Sequence, residues 1–441
     1  MTEPVFTLMP VSVKSSNQAG WWTPFCVDYA GSQYFAFVAD SNNGTSGKHN
    51  IGILRRDQDG STQLGYIRNK DGRFAEFTDD DGHNQPSIVV DIDGTIYVIT
   101  SMHGDYWNYY RSTIPRDVAS LVYAAEEMPD GMFNFTYPVL TTGSNGDVYL
   151  MARGGASPNG FDRAGIVYRR DRARATWERL LIIANEAQNS FYPDDLRVDT
   201  DNNVHILWEW GPWSAGVLRH KGSYLIANST GAISSISGRA MQTPVPVADD
   251  GDHVYHPLED GEEFVSNSSD KISTMAGIQT ARMIYNSGTI YGVIYRHRPF
   301  RDEAQSSFGG FNVNIATFEN GDWVRETILD LDLGEISTTP ALGASVHDTE
   351  KRLYISLLNT APAPDVSVLV MARPASSGGW EYIKLGPELR GTLRFSVVST
   401  TDGDLIYVTA PSAGKLYLYE IPKNLTGVTV YPTAEDLVNS L

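Results

Sequence analysis

One pattern recurs along the chain and restricts its fold more than any other feature: an Asp/Asn/Gly turn that runs straight into an apolar, aromatic-containing strand. It reads DYAGSQYFAFVAD from Asp28, DIDGTIYVIT from Asp91, TGSNGDVYLMA from Thr142, DTDNNVHILWEW from Asp199, YNSGTIYGVIYR from Tyr285, HDTEKRLYISLL from His347 and TDGDLIYVTA from Thr401. Six of the seven copies have a plausible strand before the turn, so each reads as a hairpin. The 23 Tyr, 40 Gly and 9 Trp favour strands and turns, and no long segment shows a 3.6-residue apolar period. A hairpin buries little by itself, and seven similar units without a linker stack best around an axis. The expectation is an all-β chain, a single seven-bladed β-propeller of four-stranded antiparallel blades over residues 1–441, with a polar insertion at about 223–270. The competing arrangement is a pair of β-sandwich domains.

The 34 Lys+Arg against 53 Asp+Glu give a formal charge of -19. That balance argues against nucleic acid as a partner. The single cysteine, Cys26 in WWTPFCVDY, excludes a disulfide framework and reads as a buried thiol. No stretch approaches the roughly 18 apolar residues of a membrane span, so no membrane role is expected. The opening MTEPVFTLMP lacks the basic end and apolar core of a signal peptide.

Two histidines flank one hairpin in DDDGHNQPSIVVDIDGTIYVITSMHG, His83 before its first strand and His103 after its second. With the turn at Asp93-Gly94, antiparallel register brings the two within one position of facing each other, about 5 Å apart at Cβ. The next hairpin treated in the same way places Tyr137 opposite Arg153, and the one after it places Tyr192 opposite Trp208 to Trp210. His83, His103, Tyr137, Arg153 and Tyr192 should therefore converge at one end of adjacent hairpins. Each taken singly has an ordinary reading: a turn histidine, a strand-end tyrosine before proline, an arginine paired with a carboxylate. The combination at matched positions points to a site.

Several chemistries are excluded or disfavoured. No G-x-S-x-G elbow, phosphate loop or dinucleotide fingerprint is present. DQDG at Asp57 and DTDNN at Asp199 lack the twelfth-position glutamate of a calcium loop and suit hairpin turns. A glycosidase needs two poised carboxylates, and none stands out at the matched positions. An Arg, a Tyr and two His suit removal of a carbon-bound proton next to a carboxylate, as at C5 of a uronic acid. The arginine, or Asn84 and Gln85 through hydrogen bonds, would stabilise charge building on the carboxylate. A neutral histidine can take the proton and a tyrosine can protonate the departing O4 oxygen, or act as base itself if Arg153 lowers its pKa. This β-elimination requires no cofactor.

In the same residues, DDDGHNQPSIVVDIDGTIYV…SMHG…YYRS, FTYPVL…GDVYLMARGG and SFYPDDLRVDTDNNVHILWEW, the chain resembles the BNR-4 type seven-bladed propellers that include ulvan lyases. The resemblance is close over about residues 79–225 and is only a rhythm elsewhere. It implies a polysaccharide lyase acting on a sulfated, rhamnose- and uronate-containing polymer, with no metal in the chemistry. His83 and Tyr137 would share the acid and base roles, Arg153 would neutralise the uronate, and His103, Asn84 and Tyr192 would contact substrate. The division of roles among His83, His103 and Tyr137 stays open. The family can also carry a structural metal, zinc or calcium, for which His220 in LRHKGSY is the first candidate ligand. A secreted or periplasmic monomer is expected, with no signal peptide in this chain.

Two other classes compete. A sialidase-like hydrolase would need S-x-D-x-G-x-x-W turns, which are missing. A non-catalytic carbohydrate-binding propeller would use Trp107, Tyr109, Tyr110, Trp208, Trp210 and Trp213 as sugar platforms. The arginines at 163, 169, 170, 172 and 174 would either steer a polyanion or form a solvated strand edge.

Overall fold

Each of the seven turn-plus-strand repeats becomes the second strand of its own antiparallel sheet. These strands are Ser32–Asp40, Ile96–Ile99, Val148–Gly154, Val204–Pro212, Thr289–Arg298, Glu350–Asn359 and Gly403–Ala410. The computed structural model describes residues 2–21, 23–80, 83–154, 163–186, 189–212, 221–246, 252–255, 277–286, 288–298, 311–331, 336–361 and 364–441. The fold is an all-β, seven-bladed propeller of four-stranded sheets, several of which carry extra strands. Among the described residues the only α-helix is Ala434–Val438.

The turns explain the Asp-rich repeat. Asp91 accepts the N–H groups of Asp93 and Thr95 through one carboxylate oxygen, each at 2.9 Å, and the Tyr97 hydroxyl through the other at 2.7 Å. Gly94 supplies the positive φ of 83° that this turn requires. Asp199 holds Asp201 and Asn203 in the same way, at 2.9 and 2.7 Å, so DTDNN is a hairpin turn.

The chain divides into two compact units, one of Ser12–Ile206 with Leu225–Gly251, the other of Met1–Val11, Leu207–Tyr224 and Asp252–Leu441. In the first, inward-facing strand residues form two clusters. One gathers Val38, Ile53, Ile88 and Val98; the other gathers Ile99, Trp107, Phe135, Leu150 and Tyr168. Cys26 is buried as a free thiol. In the second unit, one cluster centres on Ile294, Leu342, Ile355 and Val370, the other on Leu369, Ile406, Val408 and Tyr419. The last sheet there takes its outer strand, Val5–Leu8, from the opposite end of the sequence, pairing Val5 with Glu420.

The insertion elaborates a blade, as its polar sequence suggests. Ile233–Ser234 and Ala240–Met241 extend one sheet edge, and Asp252–Tyr255 pairs with Lys221–Ala227. Its remainder, 256–270, lies outside the described residues.

Candidate functional site

His83 and His103 meet, though not through the hairpin they flank. The ladder between Ser87–Val90 and Ile96–Ile99 has the expected register but ends at Ile99. The chain then turns away, and His103–Asp105 becomes a short strand on the next sheet, where His103 pairs with Thr136. Trp107 anchors this detour: it is 1% exposed, stacks on Phe135 at 3.7 Å, and donates its indole N–H to the Pro129 carbonyl at 2.8 Å. The two imidazoles are stacked with centroids 3.4 Å apart and planes 12° apart.

Tyr137 continues the row. The strand Phe135–Thr142 shifts register between Thr136 and Val139, and Tyr137 sits at the shift with φ of 58°. A tyrosine in the left-handed region is strained by about 1–3 kcal/mol, and the bulge re-aims its side chain. Its hydroxyl lies 3.1 Å from His83 Nε2, and its ring centroid 5.3 Å from that of His83. Tyr192 follows with its centroid 6.0 Å from that of Tyr137. The Arg153 guanidinium lies over both tyrosine rings, 4.7 and 4.9 Å from their centroids. Four rings and one cation thus form a continuous set: His103, His83, Tyr137 and Tyr192, with Arg153 over the last two.

A carboxylate unforeseen from the sequence organises the histidines. Asp80 accepts His83 Nδ1–H at 2.8 Å on one oxygen and His103 Nδ1–H at 2.5 Å on the other. Both rings are thereby held as the Nδ1–H tautomer, and His83 Nε2 is left as an acceptor facing Tyr137. Burial alone would raise the Asp80 carboxyl, but the two imidazole donors and their charge bring it down to about 2. Burial also pushes the His83 pKa below the ordinary histidine value; Asp80 opposes this, while the charges of His103 and Arg153 reinforce it. The net shift favours the neutral imidazole, the form in which a histidine can accept a proton. The D-x-x-H spacing in DDDGH is the signal that could have revealed Asp80.

A second relay braces the segments that carry these groups. His49, wholly buried, bonds Asp79 through Nδ1 at 3.0 Å and the Ser101 hydroxyl through Nε2 at 2.8 Å. Lys14 pairs with Asp79 at 2.9 Å. The order Asp–His–Ser is that of a nucleophilic triad, but this imidazole has no exposed edge. It ties the residue before Asp80 to the strained turn at Ser101, two positions before His103.

Other expected contacts fall differently. Asn84 is 1% exposed; its amide donates to the Ser16 carbonyl at 3.2 Å and accepts the Asp80 N–H at 3.0 Å, so it shapes the loop from within. Trp107, Tyr109, Tyr110, Trp208 and Trp210 are all buried, which corrects their reading as sugar platforms: they are core. Trp213 and His220 lie outside the described residues. The arginine run is a paired strand edge: Arg169 bonds Glu178, Arg172 bonds Asp93, and Arg174 bridges Asp171 and Glu178. Arg163 donates to the Ser190 hydroxyl. Asp80, His83 and His103 could offer three metal-ligand atoms within 4.8 Å of one another, but both Nδ1 atoms are already engaged by the carboxylate.

A scan of protein families matches residues 32–275 to a model described as a BNR repeat-containing family member. No curated protein matches. Among solved structures, a PL25 ulvan lyase bound to -[GlcA(1-4)Rha3S]- is similar with 13% identity and a TM-score of 0.67, covering 98% of each chain. A second structure of a PL25 ulvan lyase gives 14% identity and a TM-score of 0.64 over 98% of this chain and 97% of that one. The polysaccharide lyase Uly1 gives 13% and 0.61 over 94% and 91%. At such identities the likeness is one of fold.

Proposed function

The chain belongs to the BNR repeat-containing family, and from that premise we propose that it is a polysaccharide lyase that cleaves a uronic-acid-containing polymer, of the rhamnose–uronate kind, by β-elimination. The observation that carries the reading is the hydrogen bond between His83 Nε2 and the Tyr137 hydroxyl, with Arg153 over the tyrosine ring. Arg153 neutralises the uronate carboxylate, so that charge building on it during loss of the C5 proton is stabilised. His83, kept neutral by burial, takes that proton. The C5–H electrons form the C4–C5 double bond, the C4–O4 bond breaks, and Tyr137 delivers its proton to O4. Transfer of the proton from His83 to Tyr137 across their 3.1 Å contact then restores both groups. No metal takes part in these steps. His103 and Tyr192 flank the acid–base pair and contact the neighbouring sugar. A polymer substrate of this size implies action outside the cytoplasm, secreted or periplasmic, and the site is complete within one chain, which suits a monomer. No helix among the described residues is long and apolar enough to cross a membrane.

The test is ultraviolet absorbance during incubation with ulvan and other uronate polymers, using the parent, His83→Ala and Tyr137→Phe. A rise abolished by both substitutions in folded protein supports the reading. New reducing ends without absorbance would mean hydrolysis, and retained binding without either product a carbohydrate-binding propeller.

A further inference from the structure

The row of His103, His83, Tyr137 and Tyr192 is backed by a stretch of chain that takes no part in the proton transfers. Residues 14–21 and 23 lie outside helix and strand, yet Ser16, Asn17, Gln18 and Ala19 are all buried. The segment is fixed along the strand Ser32–Asp40: the Lys14 N–H donates to the Val38 carbonyl at 2.8 Å, and the Val38 N–H to the Asn17 side-chain oxygen at 3.0 Å. From there it reaches the loop that carries Asp80 and His83. Lys14 and the Ser16 hydroxyl hold Asp79, next to Asp80, at 2.9 and 3.1 Å. The Ser16 carbonyl and the Gln18 N–H clamp Asn84, next to His83, at 3.2 and 3.1 Å. The Thr23 hydroxyl donates to the Pro86 carbonyl at 3.0 Å. Trp21 lies between these anchors, and its half-buried indole packs against the pair Tyr137 and Tyr192.

Tyr137 needs such a support. A left-handed φ of 58° on a tyrosine persists only where its neighbours over-determine it. Two of those neighbours, His83 and Arg153, change their contacts during elimination, one by taking up a proton and the other by meeting the uronate carboxylate. Trp21 has no such duty, and its cluster with the two tyrosines stands apart from the two blade cores of this unit. A side chain packed on a ring from an anchored segment fixes where that ring points, and with it where its hydroxyl is aimed.

We infer that Trp21 is the positioning residue of the general acid: it holds Tyr137 in the bulge conformation that aims the hydroxyl at His83 and at the departing O4 oxygen. The inference rests on the lyase reading for the role of Tyr137.

The test uses the full chain as the parent, Trp21→Ala, Trp21→Phe, Tyr137→Phe and His83→Ala, each checked for fold by circular dichroism. Trp21→Leu replaces Trp21→Ala if the alanine variant does not fold. The substrates are ulvan and a synthetic uronate with a phenolate leaving group at C4. A phenolate departs without being protonated, so this substrate dispenses with the acid but not with the base. On ulvan, Trp21→Ala should lower kcat about 10–100-fold with KM changed less than about threefold, and Trp21→Phe should recover most of the loss. On the phenolate substrate, Trp21→Ala and Tyr137→Phe should both come within about threefold of the parent, while His83→Ala stays inactive. General damage to the site would not be repaired by a better leaving group. A kcat on ulvan within about threefold of the parent in Trp21→Ala, or a loss that persists on the phenolate substrate, overturns the inference while leaving elimination standing. If the parent acts on neither substrate, the lyase reading fails, and ¹⁵N spectra of the His83 ring then decide the positioning. Trp21→Ala should shift Nε2 as Tyr137→Phe does, since both disturb the same hydrogen bond. An Nε2 signal left unmoved by Trp21→Ala refutes it.

Discussion

Replacing Asp80 with Asn changes one atom and should remove most of the activity. The carboxylate accepts an N–H from each histidine, whereas an amide can accept from only one and must donate to the other. The histidine facing the amide N–H must then present a bare Nδ1 and move its proton to Nε2. If that is His83, Nε2 faces Tyr137 with a proton already on it and cannot act as base. The variant also loses the negative charge that stabilises the imidazolium formed on proton abstraction. A hydrogen bond to a charged group contributes about 1.5–3 kcal/mol, so two together give about 3–6 kcal/mol, or about 10²–10⁴ in kcat. Asp80 raises the His83 pKa against burial, so its loss should also move the acidic limb of the pH–rate profile to lower pH. Initial rates from the absorbance assay across pH, with ¹⁵N spectra of the histidine rings, read both effects. A variant within about threefold of the parent, with an unmoved limb and Nδ1–H still on both rings, would refute the tautomer argument.

Three further outcomes follow from the same geometry. In the parent, the acidic limb of kcat/KM should lie below the ordinary histidine value of about 6.5, because burial lowers His83 and it loses its proton earlier as pH rises; a limb above that value would contradict the assignment. Arg153→Met should lower kcat about 10²–10³-fold and move the limb upward, since a positive charge that disfavours the His83 cation is gone. Trp107→Ala should cost about 3–5 kcal/mol in denaturant unfolding, as it removes a buried indole stacked on Phe135; a cost under about 1 kcal/mol would show that the His103 segment is held otherwise.

The strand rhythm made the architecture legible because each copy encodes its own turn: the Asp caps the loop and the apolar run that follows is a strand whichever blade it joins. The site was legible as a set from the matched ends of its hairpins, although the register shift puts Thr136, not Tyr137, opposite Arg153. The route of His103 was not, since its pairing with Thr136 depends on a neighbouring sheet. In DYWNYYRS, just beyond it, all eight residues are aromatic or polar, and composition cannot say that Trp107, Tyr109 and Tyr110 turn inward while Tyr106 turns out. The arginine run left two readings open for a related reason, its partners Asp93 and Glu178 lying on other turns and strands.

The outer strand Val5–Leu8 has a consequence for how the chain reaches this state. It is made about four hundred residues before its partner Lys415–Pro422, and nearby Thr426 donates to Thr2 across 424 positions. Closing so long a loop costs about 5 kcal/mol of chain entropy before any contact rewards it. The final sheet must therefore be completed only after the intervening strands exist, making this seam the late step of folding and the early step of unfolding. Amide exchange at Val5–Leu8 should accordingly outpace that of Gly403–Ala410 in the same sheet; equal protection would show that the seam opens only with the whole unit.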